Sequence, residues 1–212
     1  MSKRCTSLLL ALAIAAPIAA IAAPPPLQLG EDDFPTLAAF PEVAQLTIFS
    51  TGPMEFPTSC KQIRIARAEE IAPRWRPYIT RLSLDRCSTE SVGTDAMQDT
   101  SYDASARIRP GLVTLYGLPV TETRETLAEM YGNRTLVLAV PLQEALEKIR
   151  PISERNCAPV ARNNPGIPTN CKMEPIDEDS WSITIGELNS TIMLSRNPDD
   201  SGSTLYTIGG GD

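Results

Sequence analysis

The 212-residue chain carries 19 basic and 26 acidic side chains and no histidine, for a formal charge of −7. That acidity argues against nucleic acid or an anionic membrane surface as partner. The missing histidine excludes Ser-His-Asp and Cys-His catalysis and histidine-based zinc sites. It also removes the side chain most often used for proton transfer near neutral pH.

Lys3 and Arg4 precede an apolar run from Leu8 to Ile21, broken only by Pro17, which ends in the small-residue stretch Ala20-Ile21-Ala22-Ala23. This pattern reads as a bacterial-type secretory signal over residues 1–22. We place the cut after Ala22, because cutting after Ala23 would put Pro24 just beyond the scissile bond. A membrane-spanning helix needs about 20 predominantly apolar residues. This run is shorter, and no second long one follows. The expected destination is the bacterial periplasm or the extracellular space, with no span in the mature chain.

Losing Lys3 and Arg4 leaves 17 bases against 26 acids, and 17 − 26 = −9. The charge is uneven. Residues 23–59 hold five acids and no base, and 173–212 hold eight acids against Arg196 alone. Residues 60–110 hold nine bases against seven acids. A solvated surface accounts for this pattern, and so does an acidic face steering a basic protein partner.

Residues 23–42 are rich in proline and acids and read as an extended lead-in to a single domain over 43–208. Gln45–Ser50 is a short strand, followed by a turn at Thr51–Pro57. In an exported chain the four remaining cysteines, Cys60, Cys87, Cys157 and Cys171, read as two disulfides. Lys61–Arg67 and Ile79–Arg86 alternate around the tip Ala72–Pro77. Folding the chain about that tip sets Cys60 opposite Cys87, Ile63 opposite Leu84 and Ile65 opposite Leu82. Gln62, Arg64, Arg81, Ser83 and Asp85 then gather on the other side. That register pairs Cys60 with Cys87 and leaves Cys157 for Cys171. Neither spacing is a Cys-x-x-Cys redox motif.

Ser88–Ser105 is polar and reads as a long surface loop, and Leu112–Tyr116 as a buried strand. Val120, Leu127, Met130 and Tyr131 share a helical face, predicting a short helix capped by Thr121 or Thr123 and stopped at Gly132. Arg134–Val140 has strand length. Leu142, Ala145, Leu146 and Ile149 form a stripe at i, i+3, i+4 and i+7, predicting a second short helix between Pro141 and Pro151. Trp181–Gly186, Thr191–Ser195 and Ser203–Ile208 form a three-stranded meander, and 209–212 a flexible tail. The expected fold is α+β: a mainly antiparallel sheet, two short helices packed on one side, and two disulfides.

Two clusters stand out as contacts for another protein. Arg74, Trp75, Arg76 and Tyr78 combine arginine with aromatics, the types enriched at binding hot spots. Asp177, Glu178 and Asp179 are the densest acids. Their carboxylates suit calcium but lack the alternating pattern of a calcium loop, so no metal is expected. In Asn197–Gly202, turn chemistry explains every residue. No catalytic residue and no cofactor is expected. The chain reads as an exported, non-catalytic protein-binding module, such as an inhibitor or immunity-type protein against a secreted toxin. The alternatives are an envelope structural or assembly factor, or a histidine-free carboxylate hydrolase.

Overall fold

The computed structural model describes residues 24–29, 48–50, 59–67, 69, 71, 75–92, 97–128, 131–163, 170–185 and 190–211. The expected signal, most of the lead-in and Arg74 lie outside these residues.

Ten strands form one sheet. They are β1 (Leu27–Leu29), β4 (Ile79–Val92), β5 (Met97–Ile108), β6 (Val113–Leu115), β7 (Leu118–Ala128), β8 (Tyr131–Leu138), β9 (Asn170–Asp177), β10 (Ser180–Ile185), β11 (Ser190–Arg196) and β12 (Thr204–Gly211). β2 (Ile48–Ser50) and β3 (Ile63–Ile65) form a separate two-stranded sheet. The main sheet runs β7-β8-β12-β11-β10-β9, and the far side of β7 is shared by β6, which pairs β1, and β5, which pairs β4. β1 pairs β6 in parallel; the other pairings are antiparallel.

One helix, α1 (Leu142–Asn163), joins β8 to β9. Those strands run in the same direction with β12, β11 and β10 between them, so α1 is the crossover that parallel strands require. It lies against β9, β10 and β11. The expected stripe Leu142, Ala145, Leu146 and Ile149 is its buried face. Full burial of each leucine or isoleucine contributes about 2 kcal/mol. It packs with Leu136 and Leu138 of β8, Ile183 of β10, Ile192 and Leu194 of β11, and Tyr206 of β12.

Four sequence expectations are corrected here. The helix does not stop at Pro151. Proline in a helix interior withholds one hydrogen bond and costs about 3 kcal/mol, yet the turns beyond it are anchored three times. Ser153 and Cys157 are wholly buried, Glu154 Oε1 accepts the Met173 N–H at 3.0 Å, and Cys157 is bonded to Cys171. The segment from Thr121 to Ala128, expected as a helix, belongs to β7. Its register against β5 and β8 puts Thr123 and Glu125 on the inner face beside Ala106, Ala104 and Leu136. A single α-helix is thus present among the described residues. Ser88–Ser105, expected as a loop, supplies most of the β4–β5 hairpin. Gly209–Gly211, expected as a flexible tail, pairs with Asn133, Gly132 and Tyr131.

Both disulfides, Cys60–Cys87 and Cys157–Cys171, form as the sequence indicates. The hairpin used to infer the first is different. β3 pairs with β2, not with β4. Ile63 does meet Leu84 and Cys87, but by packing face to face with Tyr102 and Ala104, and Ile65 is exposed.

β-bulges shape the sheet. Thr80 and Asp85 in β4 and Thr121 in β7 each fall at a register shift. Bulges add bend and twist. Two of these residues bond across the strand pair, Thr80 Oγ1 to Arg107 O at 3.2 Å and Thr121 Oγ1 to Val137 O at 3.3 Å. Between β6 and β7 the turn is two residues, Tyr116 (φ 52°) and Gly117 (φ 79°), flanked by the pair Leu115–Leu118. Positive φ at both positions is the mark of a type I′ hairpin.

Candidate functional site

Strand alternation sorts β4, β5 and β7 into two faces. Leu82, Leu84, Tyr102, Ala104, Ala106 and Thr123 face inward. The outer face is polar throughout. Register sets Arg81 opposite Arg107 and Arg107 opposite Glu122; Ser83 opposite Ser105 and Ser105 opposite Arg124; Arg86 opposite Asp103 and Asp103 opposite Thr126. The bulge adds Asp85 to the same face. Together with Asp199, from the turn joining β11 to β12, these residues other than Arg86 line a cleft of ≈ 580 Å³. That is within the ordinary range of ligand sites.

The cleft's charges are partly matched internally. Glu122 lies between two guanidiniums, 2.6 Å from Arg124 Nε and 4.0 Å from Arg107 Nε. Arg124 also approaches Asp199 at 3.8 Å. Asp103 accepts from Arg86 Nε at 2.9 Å and from the Thr126 hydroxyl at 2.8 Å. The Asp199 turn is itself braced: Asn197 Nδ2 donates to Ser203 Oγ at 2.8 Å, and Gly202 N to Asp200 Oδ1 at 3.0 Å. These bonds are the turn chemistry expected from the sequence.

Behind the cleft floor, Glu125 is buried on the inner face. Burial, reinforced by the charge of Glu125 and opposed by Arg134, pushes the Tyr102 hydroxyl well above the usual tyrosine range. Tyr206, deeper in the core, is likewise raised, first by burial and then by Tyr116 through charge and a hydrogen bond.

The sequence-predicted contact residues do not converge on this cleft. Trp75 is 2% exposed and packs edge-on against Tyr78 with ring centroids 6.4 Å apart. Tyr78 is buried too, and its hydroxyl donates to Pro25 O at 2.8 Å. Arg76 is exposed, but its guanidinium donates to the carbonyls of Ile71 (2.7 Å) and Glu69. The rings therefore anchor the segment to the core.

The acidic trio Asp177, Glu178 and Asp179 is the β9–β10 turn. Asp177 Oδ1 accepts the Asp179 N–H at 2.8 Å, and Asp179 Oδ1 takes Arg196 Nε at 2.7 Å. Hydrogen bonds from the Ser180 side chain and the Asp179 backbone hold the Asp177 carboxyl below its usual range. No group of three cysteine, aspartate or glutamate side chains gathers as a metal site would among the described residues. The four disulfide cysteines are committed to their bridges.

Sequence reasoning found only one edge of the cleft, Arg81, Ser83 and Asp85. The missed signal is the repeat of that alternation in Asp103-x-Ser105-x-Arg107 and Glu122-x-Arg124-x-Thr126. Comparison of the chain with protein-family models, with curated proteins and with solved structures finds no match.

Proposed function

We propose that the protein is an exported, non-catalytic binding module that holds a polar segment of another protein in the cleft across β4, β5 and β7. The observation carrying this reading is the cleft's arrangement: guanidiniums, carboxylates and hydroxyls fixed at strand spacing on a paired sheet, with the Asp199 turn as a side wall. Side chains held on strands are positioned before the ligand arrives, which reduces the ordering cost of binding. Carboxylate-pair hydrolysis asks instead for one carboxyl in apolar surroundings and one in polar ones. Glu122 and Asp103 both sit among guanidiniums and hydroxyls. Export to the periplasm or beyond, with a toxin-directed inhibitor as one form of the module, belongs to this proposal.

The test is capture from periplasmic and secreted extracts by the oxidised mature chain, residues 23–212, beside a cleft variant carrying R107Q and R124Q. A stoichiometric, salt-sensitive partner that the variant loses supports the reading. A partner held equally by both proteins moves the contact elsewhere and rejects the cleft.

A second reading, an envelope assembly factor, draws on β4. This 14-residue strand pairs only with β5 among the described residues, and such an edge accepts added strands. Proline substitutions at outward-bonding positions of β4 that abolish capture, with the cleft intact, would favour it.

A further inference from the structure

Arg81 and Arg107 are direct cross-strand neighbours on the outer face. Like charges directly opposite each other in a sheet are destabilising, so the pair needs a reason. The other arginines of this face have one within the chain: Arg86 is matched by Asp103 and Arg124 by Glu122. Arg107 reaches Glu122 only at 4.0 Å, and that carboxylate is already held at 2.6 Å by Arg124. Arg81 forms no ion pair among the described residues, and both arginines are exposed. One step along the strands, Ser83 and Ser105 face each other and both line the cleft. Two forked cations beside two hydroxyls make a receptor for an oxyanion, because guanidinium binds carboxylate and phosphate through two parallel N–H donors.

Resting on the reading of the cleft as the contact site, we infer that Arg81 and Arg107, with the hydroxyls of Ser83 and Ser105, form a carboxylate-binding subsite that receives an acidic side chain or chain terminus of the captured protein. The flanking charges select among oxyanions. Glu122, Asp85, Asp103 and Asp199 surround the subsite. A second negative charge on the ligand doubles attraction and repulsion alike, but the cleft sets these four carboxylates against the three guanidiniums of Arg81, Arg107 and Arg124, so it gains nothing from the cleft as a whole.

The experiment is a titration of the oxidised mature protein, watching the side-chain Nε–H resonances of its arginines. The probes are the capped peptide acetyl-Ser-Asp-Ser-amide, its Asn counterpart and inorganic phosphate. The Asp peptide should shift Arg81 and Arg107 together and saturably, and the Asn peptide should not. R81Q should weaken the Asp peptide at least tenfold, R81K should restore only part of the loss, and R109Q should leave it unchanged. Absence of a saturable shift, equal shifts at Arg109, or tighter binding of phosphate than of the Asp peptide overturns the subsite. A failed titration alongside R107Q/R124Q-sensitive capture removes the subsite and leaves the binding module standing.

Discussion

Replacing Tyr206 with phenylalanine should change the sign of its effect with pH. Tyr206 is 2% exposed and hydrogen-bonded to Tyr116, and burial raises its hydroxyl well above the unfolded value of 10.0. At pH 8 the hydroxyl is protonated in both folded and unfolded chains. The variant then loses only one hydrogen bond and is less stable by about 1 kcal/mol. Above pH 10 the unfolded tyrosine ionises while the buried one keeps its proton. The native state then binds more protons than the unfolded state, so stability falls as pH rises, approaching about 1.4 kcal/mol per pH unit. Y206F is spared that loss. Tyr102 titrates alike in both proteins and cancels from the difference. The two stability curves should cross somewhat below about pH 11. Urea unfolding of both proteins between pH 8 and 11 reads the crossing directly. A gap that stays constant from pH 9 to 11 would refute the account, showing that the buried hydroxyl ionises as readily as an exposed one.

The disulfides should contribute comparably for different reasons. Loop entropy gives about 3 kcal/mol for Cys157–Cys171 and about 3.6 kcal/mol for Cys60–Cys87. Cys157 is wholly buried, so the C157A/C171A variant also loses core packing. Urea midpoints of C157A/C171A and C60A/C87A should therefore fall by similar amounts, and either variant matching wild type would reject the assignment. Gly117→Ala should cost about 1–2 kcal/mol through its positive φ. The added methyl meets only the flexible end of Lys148, at 3.3 Å, so calorimetry should show a backbone penalty without core disruption.

What the sequence disclosed follows from how cleanly its apolar pattern matched one period. Trp181 and Ile183 alternate with Ser182 and Thr184, and the meander reads directly. Leu142, Ala145, Leu146 and Ile149 mark one helical face, and that face is the buried one. The β7 segment misleads because its inner positions are Thr123 and Glu125, polar side chains where a half-buried strand usually carries apolar ones. Val120, Leu127, Met130 and Tyr131 then suggest a helical stripe by default. The β4–β5 hairpin was hidden similarly. Its inner side is Thr100, Tyr102, Ala104 and Ala106, small or polar residues sufficient beneath Ile63 and the Cys60–Cys87 bridge. Pro151 misleads because a local penalty of about 3 kcal/mol is outweighed by the packing and the disulfide on its C-terminal side.

The cleft was harder to see because it belongs to no single segment. Each strand alone offers a polar alternation that any solvated sheet face would show. Pairing converts three such alternations into a two-dimensional array, and the array depends on bulges that a sequence does not announce. Without the Asp85 bulge, Arg86 would turn to the inner face, and Asp103 would lose the guanidinium that matches it. Net charge misleads in the same way. A chain of formal charge −7 still sets Arg81 against Arg107. At the few ångströms of a direct contact, those two cations act on a bound carboxylate far more strongly than acids more than a Debye length of about 8 Å away. On the proposed reading, recognition is decided by local register: an acidic side chain docks on an acidic protein where two arginines stand opposite each other.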